Sequence, residues 1–294
     1  MSFKEDIIKS FREGNLLTKI IYINLGVFVL VNLLNVISLL FQLHWGYMDY
    51  LMMPATISKF LSRPWTVFTY MFLHQSVIHF LVNLLMLYWL GQLFLYFFSQ
   101  KQFVGVYVLG GLVGGLLYLL AYNLIPYYVS MAENHSLLGA SASIMALIVA
   151  AAVWSPQFPI RLFLIGEVKL GIIALAYVVL SLFGIVSANG GGELAHLGGA
   201  FAGYAFATAM KSGRDITAWI SSSMDFFANL FKKKPPIRMA KPQGGSAHTA
   251  SDIEYNESKK AQNDNIDRIL EKIKRSGYDS LSEEERSQLF QRKK

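Results

Sequence analysis

The sequence predicts an all-α polytopic membrane protein, a bundle of six transmembrane helices followed by a small helical cytoplasmic tail. Three observations predict it. Of 294 residues, 54% are hydrophobic and only 15% are charged, against about 25% charged in an ordinary soluble domain. Six apolar segments each come close to the roughly 20 residues that cross a hydrocarbon core about 30 Å thick. Lysine and arginine also gather in alternate short loops, the pattern that fixes orientation in an anionic membrane.

In chain order, residues 1–14 form an N-terminal segment in which Phe3, Ile7, Ile8 and Phe11 share one helical face. That face fits a helix lying on the membrane surface, and equally a packed helical cap. Residues 15–211 hold the six spans, near Ile20 to Leu43, Ile78 to Phe98, Phe103 to Asn123, Leu137 to Val153, Leu170 to Ser187 and Glu193 to Met210. The first is expected to act as an uncleaved signal anchor, because it follows a polar start and lacks a small-residue cleavage site. An even number of spans puts both termini on one side. Lys4, Lys9, Arg12 and Lys19, then Lys101, then Arg161 and Lys169, then Lys211 and Arg214 mark that side as cytoplasmic, leaving Gln42 to Trp65 as a long external loop. Residues 212–234 read as an interfacial helix, Ile216 to Phe231, closed by Lys232-Lys233-Lys234. Residues 235–264, rich in Pro, Gly, Ser and Ala, read as a flexible linker. Residues 265–294 read as a helical hairpin: Ile266, Ile269, Leu270 and Ile273 share a face, Gly277 ends the first helix, and Ser282 with Glu285 forms a capping box for the second.

Composition also excludes classes. The net charge of +7 lies in loops and tail rather than on one basic face with interleaved aromatics, so no nucleic-acid partner is expected. With no cysteine there is no disulfide framework and no thiolate metal site.

Two polar residues open apolar runs: Ser141 in Leu138-Gly139-Ala140-Ser141, and His196 in Ala195-His196-Leu197-Gly198-Gly199. An ionisable group inside a span is costly and marks a functional site by default. Ser141 as nucleophile and His196 as base would carry out acyl transfer. Gly199 and Gly203 share the helix face of His196, and Gly-x-x-x-Gly permits close helix approach; Gly139 is assigned with them to helix packing at the site. In the second span His79 and Asn83 lie four apart on one face and, with the backbone N–H of Ser141, could stabilise an oxyanion. The alternative is that they only bond loop carbonyls or bridge helices. His74 and His79 are about 140° apart on a helix, poor geometry for one metal, so neither metal nor cofactor is expected. Glu133 and Glu193 belong to no pattern that would orient His196, so the expected apparatus is a Ser/His dyad. Ser143 should point about 200° away from Ser141, as a packing hydroxyl.

Together the three motifs, Gly139-Ala140-Ser141, Ala195-His196-Leu197-Gly198-Gly199 and His74-x4-His79-x3-Asn83, resemble the rhomboid family of intramembrane serine proteases over roughly Asn15 to Lys211. The resemblance implies a six-helix rhomboid-like bundle with nucleophile Ser141, base His196 and oxyanion donors at His79 and Asn83. It also implies transmembrane protein substrates that arrive laterally near the second and fifth spans, in a bacterial inner membrane. Three positions depart from the family pattern. Ala142 stands where glycine is common, Thr66 where arginine is common in the first external loop, and Leu95 where glutamate is frequent. A catalytically inactive, rhomboid-like factor that binds membrane proteins is the competing expectation.

Overall fold

The computed structural model describes residues 3–162, 166–231, 250–277 and 280–290. The chain divides into two compact units, Met1–Phe231 and Lys232–Lys294.

In the first unit, α1 (Phe3–Glu13) leaves Ile7, Ile8 and Phe11 exposed on its apolar face. Helix α2 (Leu16–Leu40) starts where the Asn15 side chain accepts from the Thr18 N–H at 2.9 Å, one of the four donors that a helix start leaves free. The long loop after α2 folds into a short strand β1 (Met53–Pro54) and short helices α3 (Ile57–Ser62) and α4 (Thr66–Thr69). Helix α5 (Val77–Phe97) is capped by Ser76, and α6 (Gln100–Leu124) by a capping box of Ser99 and Gln102. A turn of helix, α7 (Pro126–Val129), leads to β2 (Ser136–Leu137) and then α8 (Ser141–Trp154). A hairpin of β3 (Pro159–Leu162) and β4 (Gly166–Lys169) joins α8 to α9 (Leu170–Gly184); α10 (Gly190–Lys211) and α11 (Ala218–Phe231) complete the unit.

Among the described residues three helices, α2, α5 and α6, are long and apolar enough to cross a membrane, while α8 and α9 are apolar but shorter. The shortness of α8 has a local cause. The expected fourth span begins at Leu137, yet Leu137 pairs with Met53 in the β1–β2 bridge and Gly139 takes a φ of +121°, so no helix forms before Ser141. Its 14 residues rise about 21 Å, less than the hydrocarbon thickness. Non-helical backbone at that depth is tolerated only inside protein or beside a water-filled cavity. Every residue from Ala142 to Ala152 is buried, so α8 is the central helix.

Small residues let α6 and α10 close on it. A Cβ at Gly114 of α6 would stand 2.7 Å from the Ala195 carbonyl and 2.8 Å from the Ala142 methyl. A Cβ at Gly199 or Gly203 of α10 would strike the carbonyl oxygens of Ala142 and Ala146. With few side chains between them, backbones approach closely and gain dispersion contacts that lipid does not supply. Larger side chains fill the rest of this core, among them Phe94, Phe103, Tyr107, Tyr118 and Phe206.

In the second unit α12 (Ala250–Ser276) ends at Gly277, whose φ is +77°, and α13 (Glu283–Phe290) follows. Ser282 N–H donates to Glu285 at 2.8 Å and the Glu285 N–H to the Ser282 hydroxyl at 3.3 Å. Lys272 bonds the same carboxylate and holds Glu285 below the usual carboxylate range. The expected linker is corrected here: helix begins at Ala250 rather than near residue 265. Ala, Glu, Lys and Gln between 250 and 262 favour helix although they offer little apolar surface. Residues 232–249, with the basic run, lie outside the described residues.

Candidate active site

Ser141 is the first residue of α8, and no side chain caps that helix. Its first N–H groups therefore remain available at the positive end of the helix. Gly139 is not a helix-packing residue, a correction to the sequence expectation. Its N–H donates to the Tyr70 carbonyl at 2.9 Å, and it occupies a left-handed backbone region that favours glycine. A Cβ there would lie 3.3 Å from His79 Nε2 and 3.7 Å from Ser141 Oγ. One glycine thus separates the edge of an imidazole from the serine hydroxyl.

His79 sits in the first turn of α5. The Gln75 N–H reaches its Nδ1 at 3.5 Å, a long contact that leaves the proton of a neutral ring on Nε2, the nitrogen nearest Gly139. Asn83, buried one turn later, donates from Nδ2 to the His79 carbonyl at 2.9 Å and keeps a second N–H. His74 is not on α5, as a regular helical spacing would require. It precedes the helix, edge-on to His79 with ring centroids 5.3 Å apart and edge-on to Phe80 at 5.4 Å. Ser143 is buried.

His196 lies within α10, 8% exposed, with the Tyr177 ring edge-on to it at 5.8 Å. Ser141, His196, His79, Asn83, Tyr177 and Gln75 line one cavity of about 310 Å³. Among the described residues no hydrogen bond reaches the Ser141 hydroxyl, and those of the His196 ring go to Ser181 and Glu193.

The absence of an acidic partner for His196 is corrected by the structure. Glu193 belongs to the first turn of α10, three residues before His196, and its Oε2 lies 3.1 Å from His196 Nδ1. Ser181 of α9 places its hydroxyl 3.1 Å from the same nitrogen. The i,i+3 spacing of Glu193 and His196 was a readable signal. Ser181 and Tyr177 carried none, since only the packing of α9 on α10 brings them there.

A family model described as Rhomboid domain matches residues 61–212, just over half of the chain. The chain belongs to the rhomboid family. It is therefore a membrane protein of a family of intramembrane proteases. A family of unknown function, DUF6576, matches residues 250–291, the span of α12 and α13. Among curated proteins, none matches the chain.

The positions that depart from the rhomboid pattern have specific surroundings. Thr66 is fully buried and its hydroxyl donates to the Arg63 carbonyl at 2.7 Å. Around it, Trp65 Nε1 donates to the Tyr50 carbonyl at 2.8 Å, Thr69 to Leu51 at 2.6 Å, and Arg63 to the Asp49 carbonyl. This loop is thus anchored without an arginine at position 66. The Ala142 methyl packs against Gly114 of α6, while its backbone carbonyl faces Gly199 of α10.

Proposed function

We propose that this rhomboid is an intramembrane serine endopeptidase that cleaves transmembrane or membrane-adjacent segments of other proteins through Ser141 and His196. The observation that carries the reading is the single cavity shared by Ser141, His196, His79 and Asn83. Ser141 Oγ attacks the scissile carbonyl while His196 Nε2 takes its proton. The negative oxygen is met by donors at His79 Nε2, Asn83 Nδ2 and the Ser141 N–H. Collapse breaks the C–N bond, and His196 returns the proton to the departing amine. Water then attacks the acyl-enzyme with His196 as base, which releases the carboxylate product and restores Ser141.

The helices α2, α5, α6, α8, α9 and α10 act as the six spans, with both termini cytoplasmic in a bacterial inner membrane. Water reaches the cavity from the external side. Val82 and Met86 of α5 and Tyr177 of α9 line it, which supports substrate arrival between those helices. Residues 15–211 form the catalytic domain, and residues 265–294 belong to a separate tail.

The test is cleavage of a transmembrane test substrate by the purified full-length protein in proteoliposomes. Cleavage is expected for the native protein and none for Ser141→Ala. Continued cleavage by Ser141→Ala would overturn the assignment, and an inert native protein that still binds the substrate would favour the non-enzymatic reading.

A further inference from the structure

We propose that Glu193 is a positioning residue for His196, so that this chain works with a Ser141–His196–Glu193 triad rather than a dyad; the proposal rests on the Ser/His reading above. A neutral imidazole carries one proton, and only the nitrogen without it can accept from the serine. An ionised carboxylate can only accept. The 3.1 Å contact between Glu193 Oε2 and His196 Nδ1 therefore places the proton on Nδ1 and leaves Nε2 as the acceptor the reaction needs. When His196 takes the serine proton, the same carboxylate faces the new positive charge without receiving a proton itself.

The seat for this carboxylate is built by a second helix. Ser181 of α9 stands 3.1 Å from His196 Nδ1. One turn further on, Gly184 leaves the room that Glu193 occupies: a Cβ there would come within 2.8 Å of Glu193 Cγ and 3.0 Å of Cδ. Both partners are shielded, with side chains 20% and 10% exposed. Screening by water is weak there, and the contact differs from an exposed i,i+3 ion pair. A purely structural Glu193 would stabilise the start of α10 through the helix dipole and would not choose the tautomer of His196.

The test uses full-length protein in detergent micelles and two readouts. The first is steady-state cleavage of a transmembrane test substrate. Glu193→Gln is expected to lower kcat by about 10²- to 10³-fold with KM nearly unchanged, because geometry survives while the tautomer is no longer held. Glu193→Asp should recover part of that loss. The second readout is the imidazole ¹⁵N spectrum of histidine-labelled protein, with the His196 signals assigned by their absence in His196→Ala. The native ring should be protonated at Nδ1 and bare at Nε2, and Glu193→Gln should shift it toward Nε2–H. Unchanged kcat in Glu193→Gln, or a native ring protonated at Nε2, would overturn the proposal. Failure of the hydrolytic reading has a different signature, namely cleavage that is absent or independent of Ser141, and the histidine spectrum still decides the role of Glu193.

Discussion

Gly199→Ala adds one methyl group where α10 meets α8, and its consequence can be worked from the contact. The new Cβ would collide with the Ala142 carbonyl oxygen and lie 2.9 Å from its carbon and 3.2 Å from its Cα. The obstruction is helix backbone, which cannot rotate aside. Carbon atoms in good contact are about 3.5 to 4 Å apart, so α10 must withdraw by on the order of 0.5 to 1 Å. Overpacking of this kind costs about 1 to 3 kcal/mol. His196 lies one turn from Gly199 on the same helix, and Ala142 directly follows Ser141. The withdrawal therefore widens the gap between the two reacting groups, and a displacement near 1 Å can cost about 10²-fold in rate. The assay is kcat/KM on a transmembrane test substrate together with the thermal midpoint in detergent. Gly26→Ala serves as control, because nothing lies within 4 Å of its added methyl. Gly203→Ala, a further turn away, should match the loss of stability with a smaller loss of rate. A Gly199→Ala protein as stable and active as the native one would refute the reasoning that backbone contact between α8 and α10 sets the site.

Two further outcomes follow from the loops. Burial, then the neighbouring charge of His79, brings His74 down from 6.5 to about 4. Because its folded-state value is depressed, stability is complete above pH 6.5 and falls toward pH 4, by about 2 kcal/mol at pH 5. Thermal midpoints at pH 7.5 and 5.0 should diverge more for the native protein than for His74→Asn, and equal divergence would contradict this. Trp65→Phe removes the bond to the Tyr50 carbonyl, should cost about 1 kcal/mol, and should increase tryptic cutting after Lys59; unchanged cutting would show that Trp65 does not anchor the loop.

The apolar runs placed α2, α5, α6, α9 and α10 within a few residues, since a helix buried in protein or facing lipid must be apolar over most of its length. The start of α8 was hidden because Leu137 and Leu138 look like span residues, and only pairing with Met53, some 80 residues earlier, turns that segment into strand. Helix α12 was hidden for the opposite reason: a polar sequence from Ala250 looked like linker although its residues favour helix. Within the site, His79 with Asn83 and His196 with Gly199 were legible as single-helix faces. Glu193 was legible in spacing but was discounted as a loop residue, whereas Ser181, Tyr177 and the Gly184 seat depend on how α9 meets α10. The left-handed Gly139 was visible as a glycine, not as a turn.

The most direct test of the central claim is to map the covalent adduct of a fluorophosphonate probe on the full-length protein by mass spectrometry. A reactive serine beside a base should carry the phosphonyl group on Ser141 in the native protein. Labelling should fall to background in His196→Ala. No adduct, an adduct on Ser143, or undiminished labelling without His196 would contradict the account.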